Sequence, residues 1–243
     1  MRISRIYTSQ ALVDDTIDLE AQASHHLVRV LRAKRGHQVI LFNGTGGECA
    51  GTIIEVGRDT ARIHIDKIYS VARESSLDIH LIQAISRGDR MDYTIQKSVE
   101  LGVSTIYPVS TERTEIPQSQ DALERKWEHW RKIAVHACEQ CGRDRLPRIM
   151  TPLPLLKLGD TLRELPLKLI LDTHGTKGLR GITPTSTTFG VLCGPEGGFT
   201  PAELEWALAL DFVPLRLGPR VLRTETAAVA LLSALHALWG DFR

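Results

Sequence analysis

The chain has 243 residues, enough for one large domain or two small ones. Hydrophobic residues at 42% and charged residues at 24% describe a soluble globular protein with a real core, and no apolar run reaches the roughly 18 residues of a membrane span. The net charge of +1 does not announce a nucleic-acid partner, and the opening "MRISRIYTSQALVDD" lacks a secretory apolar stretch, so the expected location is cytoplasmic.

The first 70 residues read mostly as strands: "QVILFN", "CAGTIIEV" and "ARIHIDKIY" are β-branched and partly alternating, and "NGTGGE" turns the first into the second. One helix interrupts them, with Ser24 as its expected cap and "HHLVRVLRAK" running to Gly36. Several short strands and one helix suggest a small β-barrel. The stretch also carries Arg29, Arg32, Lys34 and Arg35, which fit either phosphate binding or a solvated helix end. "SVARESS" (70–76) is polar and aperiodic, so the domains are expected to be 1–72 and 73–243.

Beyond it the pattern changes. "LDIHLIQAI", "VSTIYPVS", "LKLILD", "TFGVLCG" and "FVPLRLG" are short continuous apolar runs, as strands buried on both faces require. Helical stretches alternate with them: "DRMDYTIQKSVELG", the long "DALERKWEHWRKIAVHACEQCG" and the shorter "LPLLKLGDTLREL". The fold class is α/β with a mostly parallel sheet. Cys138 and Cys141 form a C-x-x-C without a second close pair or a histidine pair. On one helix face they read better as reduced core cysteines than as a zinc or redox site, and no metal is expected.

Ligands of open parallel sheets sit beyond the carboxyl ends of the strands. After "TFGVLC" the chain turns through Gly194-Pro195-Glu196-Gly197-Gly198, then Thr200-Pro201-Ala202-Glu203 makes a capping box with proline at the first helical position. The turn is neither a dinucleotide fingerprint nor a P-loop, and its glutamate disfavours a phosphate. A second Gly-Pro, Gly218-Pro219, follows the next apolar run. Beyond it Arg223-Thr224-Glu225-Thr226 stands at the mouth of an apolar helix, "AAVALLSALHALW". Charges there are either a structural ion pair or the wall of a site.

"GPEGGFTPAEL", followed by "LGPRVLRTETA", resembles the RsmE-type methyltransferases of the SPOUT superfamily, and so do "SRGDRMDYTIQKSVELGVSTIYPV" and "KIAVHACEQCGRDRLPRI". The likeness spans nearly the whole chain. It implies an N-terminal PUA-like β-barrel that binds RNA and a C-terminal α/β domain with a deep trefoil knot. It further implies a homodimer that uses S-adenosylmethionine to methylate N3 of a uridine (the family's uracil 1498) in 16S ribosomal RNA of the small ribosomal subunit or a late precursor. By this resemblance the cofactor is held by Leu171, by Leu192 with the 194–198 turn, and by Leu217, Gly218, Leu222, Arg223, Thr224 and Thr226. A cationic sulfonium suits a turn bearing Glu196. Arg223 is the candidate for stabilising charge on the uracil, and Glu225 either removes the N3 proton or orients Arg223. RNA phosphates are expected on Arg2, Arg5, Arg32 and Lys34, and on Arg87, Arg90 and Arg143. Arg87 and Arg90 fit equally a helix-start network with Asp89 and Asp92. A non-catalytic RNA-binding protein, and a related enzyme modifying another RNA atom, are the rival readings.

Overall fold

The computed structural model describes residues 3–13, 15–70, 73–114 and 119–242; Arg2 lies outside them. The chain divides into two units, Met1–Glu74 with Val135–Leu146, and Ser75–Ala134 with Pro147–Arg243. Among the described residues no helix is long and apolar enough to cross a membrane.

The first unit holds a five-stranded sheet in the order β1 (Ser4–Tyr7), β3 (Gln38–Phe42), β4 (Glu48–Val56), β5 (Ala61–Tyr69), β2 (Thr16–Asp18). The β1·β3 pair is parallel and the rest are antiparallel. Alternation drives one face inward: Ile6, Leu41, Ile53 and Ile63 are fully buried with Leu27 from the helix. Strands β1 and β2 are too short to show a period in sequence. The turn between β3 and β4 needs three glycines at positive φ, Gly44, Gly46 and Gly47.

The helix differs from expectation. It starts at Ala21 (α1, Ala21–His25), runs on as a π-turn over His26–Val30, and stops short of Gly36. Ser24 is inside it and fully buried. Its Oγ donates to the Leu19 carbonyl (2.9 Å) and accepts from the Ala61 N–H (3.2 Å), so it ties helix to sheet and caps nothing.

Residues 135–146 join this unit because their polar groups complete its turns. Asp144 accepts the Gly47 N–H through Oδ2 (2.6 Å), and its carbonyl takes the Gly46 N–H (3.2 Å). Cys138 is fully buried with its Sγ 3.7 Å from the Arg145 carbonyl, and burial pushes the thiol up to about 12.

The second unit is a parallel sheet in the order β12 (Val213–Leu215), β10 (Leu167–Leu171), β11 (Thr188–Cys193), β6 (Asp78–Ala84), β7 (Thr105–Ser110), β8 (Arg148–Ile149), with β9 (Leu153–Pro154) also against β7. Helices α2 (Asp89–Glu100), α3 (Gln120–Cys141, its residues from 135 on belonging to the first unit), α4 (Gly159–Arg163) and α5 (Pro201–Ala209) lie between strands, β10 and β11 are joined by a 3-10 turn, Leu179–Gly181, and α6 (Thr224–Trp239) follows β12. The expected helix over 153–165 is broken into a 3-10 turn, Leu155–Leu158, and α4. One face of the sheet buries Ile82, Val109, Ile170 and Leu192 against Leu162 and Phe212. Helix α6 buries Ala228, Leu231, Leu232 and Leu235 but leaves other apolar positions part-exposed, so it is one-sided rather than enclosed.

Candidate functional site

Parallel pairing puts the carboxyl ends of β10, β11 and β12 on one side of the sheet. The turns that follow them close around a cavity of about 780 Å³. Leu171 and Asp172 come from the first turn, Gly194–Phe199 from the second, and Arg216–Thr224 from the third.

The 194–198 turn is rigid for reasons visible in its contacts. Gly198 has φ 69° and its N–H bonds the Pro195 carbonyl at 2.9 Å. The place where a Gly194 Cβ would sit is already 3.0 Å from the Phe199 ring. The capping box that follows is complete: Thr200 accepts from the Glu203 N–H, and Glu203 Oε2 takes the Thr200 N–H at 2.8 Å. Glu203 is buried and its other oxygen accepts the Glu112 N–H at 2.9 Å. The N–H groups of this helix start are therefore spent internally.

Glu196 is likewise engaged. Arg90 Nη1 donates to its Oε1 at 2.7 Å and the Arg87 N–H at 3.3 Å. Burial opposes ionisation, yet the hydrogen bonds from its own N–H, Arg90 and Arg87 outweigh it and hold the carboxyl below its usual range. This carboxylate is neutralised by Arg90, so it anchors the turn to the start of α2 and is not a free charge for a cation. In the expected helix-start network, Arg90 is engaged by Glu196, and Asp92 meets His129 at 2.6 Å.

The third turn is held less tightly. Gly218 has φ 76°, and Arg216 Nε donates to its carbonyl at 3.0 Å. Among the described residues, the main chain of 217–222 makes no backbone–backbone hydrogen bond. Arg223 is exposed on the cavity wall and pairs with no described acid, Glu225 included, so the structural ion pair between them is absent. Glu225 and Thr226 are not on the cavity lining. One Glu225 oxygen is enclosed without a hydrogen-bond partner. Thr224 turns its hydroxyl away from open space onto the Gly194 carbonyl at 2.7 Å. The Leu192 side chain is fully buried in the core, leaving only its main chain for any ligand. Cys193 borders the cavity, but burial pushes its thiol up to about 12, so it offers no thiolate.

Two of the residues expected on RNA are internal. Arg143 is 6% exposed and grips Glu74 through Nε at 3.0 Å and Nη2 at 2.6 Å. Arg5 lies on Glu48, which also binds Arg73 at 2.7 Å, and reaches the Arg143 carbonyl at 3.2 Å. Both guanidiniums brace the first unit and are closed to phosphates. Arg32, at φ 54°, and Lys34 are exposed, as is Arg87.

Arg113, unremarked in the sequence, donates to the Gly197 carbonyl at 2.7 Å from the loop after β7. That loop also leaves the carboxyl end of a parallel strand, which is the signal that could have found it. Arg216 and Arg220 complete a lining with five arginines against the acids Asp172 and Glu196 among the described residues.

Residues 73–236 match the model of an RNA methyltransferase domain, and residues 19–66 that of an RNA methyltransferase PUA domain. Ribosomal RNA small subunit methyltransferase E of Buchnera aphidicola subsp. Schizaphis graminum is 36% identical over 241 residues, covering 99% of this chain and 98% of that one. A protein from Legionella pneumophila, solved with bound SAM as its cofactor, superimposes with a TM-score of 0.94 at 39% identity over the full length of both chains. The small subunit methyltransferase E from Neisseria gonorrhoeae, bound to S-adenosylmethionine, does so with 0.91 at 35%, again over both full chains. With a family model across two thirds of its length and full-length relatives of this closeness, the chain belongs to the ribosomal RNA small subunit methyltransferase E family of RNA methyltransferases.

Proposed function

We propose that this protein methylates N3 of a uridine in 16S ribosomal RNA, the family's uracil 1498, with S-adenosylmethionine as donor. The observation that carries the reading is the convergence of three strand-end turns on one cavity with an unpaired arginine, Arg223, on its wall. The residues fit the donor. Gly198 and Gly218 leave open space where side chains would intrude, and the main chain of 217–222, without backbone–backbone bonds among the described residues, offers groups for an adenine edge. Leu171, Gly194, Leu217 and Leu222 would hold the donor from the three turns, with the Leu192 and Thr224 main chains beside them. Glu196, already paired, would keep the turn in shape.

When bound, S-adenosylmethionine supplies an electrophilic methyl group whose departure leaves a neutral thioether. The chain supplies alignment and charge. Arg223 faces the cavity without an internal partner, and so is free to meet the negative charge that O2 and O4 acquire as N3 loses its proton. Glu225, off the cavity lining and without an ion pair to Arg223 among the described residues, gains support neither as the base nor as the residue that orients Arg223, and the N3 proton would pass to water. RNA contacts fall to Arg32, Lys34 and Arg87, with Arg216 and Arg220 added at the cavity. The target base has to leave its stack to reach so concave a site.

The remaining parts of the reading have their own support. The strand order and inward alternation of the first unit suit the PUA-like barrel that would bind RNA. A trefoil knot accords with how closely 213–217 runs against 172–177: the Asp172 N–H bonds the Leu215 carbonyl at 3.0 Å and the Arg216 N–H bonds the Lys177 carbonyl at 2.9 Å. The part-exposed apolar side of α6, with Val229, Ala230 and Leu238, suits a homodimer. A cytoplasmic location follows from the substrate. The domain boundary near residue 73 is proposed for function, with 135–146 folded onto the N-terminal unit.

The test is methyl transfer to undermethylated small-subunit RNA and particles, followed by nucleoside digestion and mass spectrometry. N3-methyluridine is expected. A different modified nucleoside overturns the substrate assignment, and no binding of S-adenosylhomocysteine by calorimetry overturns the reading altogether.

A further inference from the structure

Gln83, on β6, is fully buried among apolar neighbours. A buried amide is costly unless its groups are bonded. Its Nε2 donates to the Ala84 carbonyl and to Thr224 Oγ1, each at 3.0 Å, while its Oε1 is enclosed without a partner. Thr224, 7% exposed, passes its own proton to the Gly194 carbonyl at 2.7 Å. The result is a directed chain, Gln83 to Thr224 to Gly194. It joins the middle of the sheet, the first residue of α6 and the start of the glycine turn.

The direction of the chain is forced by donor count. A hydroxyl has one proton. Because Gln83 presents an N–H, Thr224 must use its proton on Gly194. The two tied segments are the walls of the cavity described above. Thr224 is adjacent to Arg223, and Pro195, which follows Gly194, has no N–H, so the Thr224 bond holds the start of a turn whose far side is held by Arg90 and Arg113. A core that needed only volume at position 83 would hold leucine or methionine and leave no acceptor unpaired.

We propose that Gln83 and Thr224 are positioning residues: their hydrogen-bond chain locks the Gly194 turn to the Arg223 turn, so that donor binding and placement of Arg223 are set together. The inference rests on the methyltransferase reading for its consequence, but the lock itself is a property of the protein alone.

The variants are Thr224→Val and Thr224→Ser, each checked for an unchanged melting temperature, with Gln83→Met as the variant that keeps volume without the N–H. Amide hydrogen exchange of the free protein is read over 194–199 and over 224–228, where the Ala227 N–H is held by the Arg223 carbonyl at 2.8 Å. Thr224→Val is expected to speed exchange in both segments, Gln83→Met to speed it less because the Thr224–Gly194 bond remains, and Thr224→Ser to leave it as in wild type. Calorimetry with S-adenosylhomocysteine should then show at least about tenfold weaker binding for Thr224→Val and near-wild-type binding for Thr224→Ser, a difference of about 1.4 kcal/mol. Turnover at saturating donor should fall for Thr224→Val and be restored by serine. Exchange unchanged in either segment overturns the lock. Equal affinity in the valine and serine variants overturns its role in binding. If wild type binds no S-adenosylhomocysteine, the function falls and the exchange result still decides the lock.

Discussion

Replacing Arg143 with alanine separates a structural arginine from an RNA-binding one. The wild-type guanidinium makes two short charge-assisted bonds to Glu74, and its side chain is 7% exposed against 24% for Glu74. Removing one partner of a buried pair costs about 3–5 kcal/mol because the other charge is stranded. Water reaches part of the Glu74 carboxylate, which lowers the expected loss to roughly 2–3 kcal/mol. For a unit of this size each kcal/mol moves the midpoint by roughly 4–8 °C, so its calorimetric transition should fall by roughly 10–20 °C. Lysine should recover little, since a single ammonium cannot reproduce the planar contact of Nε and Nη2 with one carboxylate. RNA affinity measured well below the new midpoint should stay near wild type. A variant that melts within about 1 °C of wild type yet loses RNA binding refutes the argument, since surface substitutions are the ones that leave stability alone.

Arg223→Ala has the opposite profile. With no internal partner to strand, it should leave stability within about 0.5 kcal/mol, while turnover drops about 10- to 100-fold with S-adenosylhomocysteine affinity intact; a parallel loss of affinity would make Arg223 a donor-binding residue instead. Thr200→Ala removes the cap that also steadies the end of the glycine turn, and should cost about 1 kcal/mol by urea denaturation, with serine recovering most of it. In acid, burial of Glu48 raises its pKa but the hydrogen bonds from Arg73 and Arg5 prevail and lower it in the fold. That stability is present above the unfolded value near 4.5, so it is lost as pH falls below it. Melting of the first unit should therefore be flat from neutral pH to about 5 and then decline, and Glu48→Gln should flatten the decline; an unchanged acid slope would show that other carboxylates carry it.

The strands of the second unit were legible because both their faces are buried, which writes them as unbroken apolar runs. The capping box at Thr200 was equally legible, because its partners lie three residues apart. The short edge strands β1, β2, β8 and β9 were not, since two to four residues carry no period. Nor was the start of α1: Ser24 looks like a cap by residue type, and only its bond to Ala61 shows that the hydroxyl serves the sheet.

Residue types at fixed spacing determined where the cavity would form, since parallel strands fix which turns share an end, and the paired Gly-Pro turns with Arg223 beyond them named two of its walls. Tertiary structure alone decided which charges are available there. Glu196 is neutralised by an arginine 106 residues away, Arg143 is spent on Glu74 69 residues away, and Gly194 is held by a threonine 30 residues on. A charge's role depends on its nearest neighbours in space, and those neighbours come from distant parts of the chain. Arg223 is left unpaired on the cavity wall because none of the described acids reaches it.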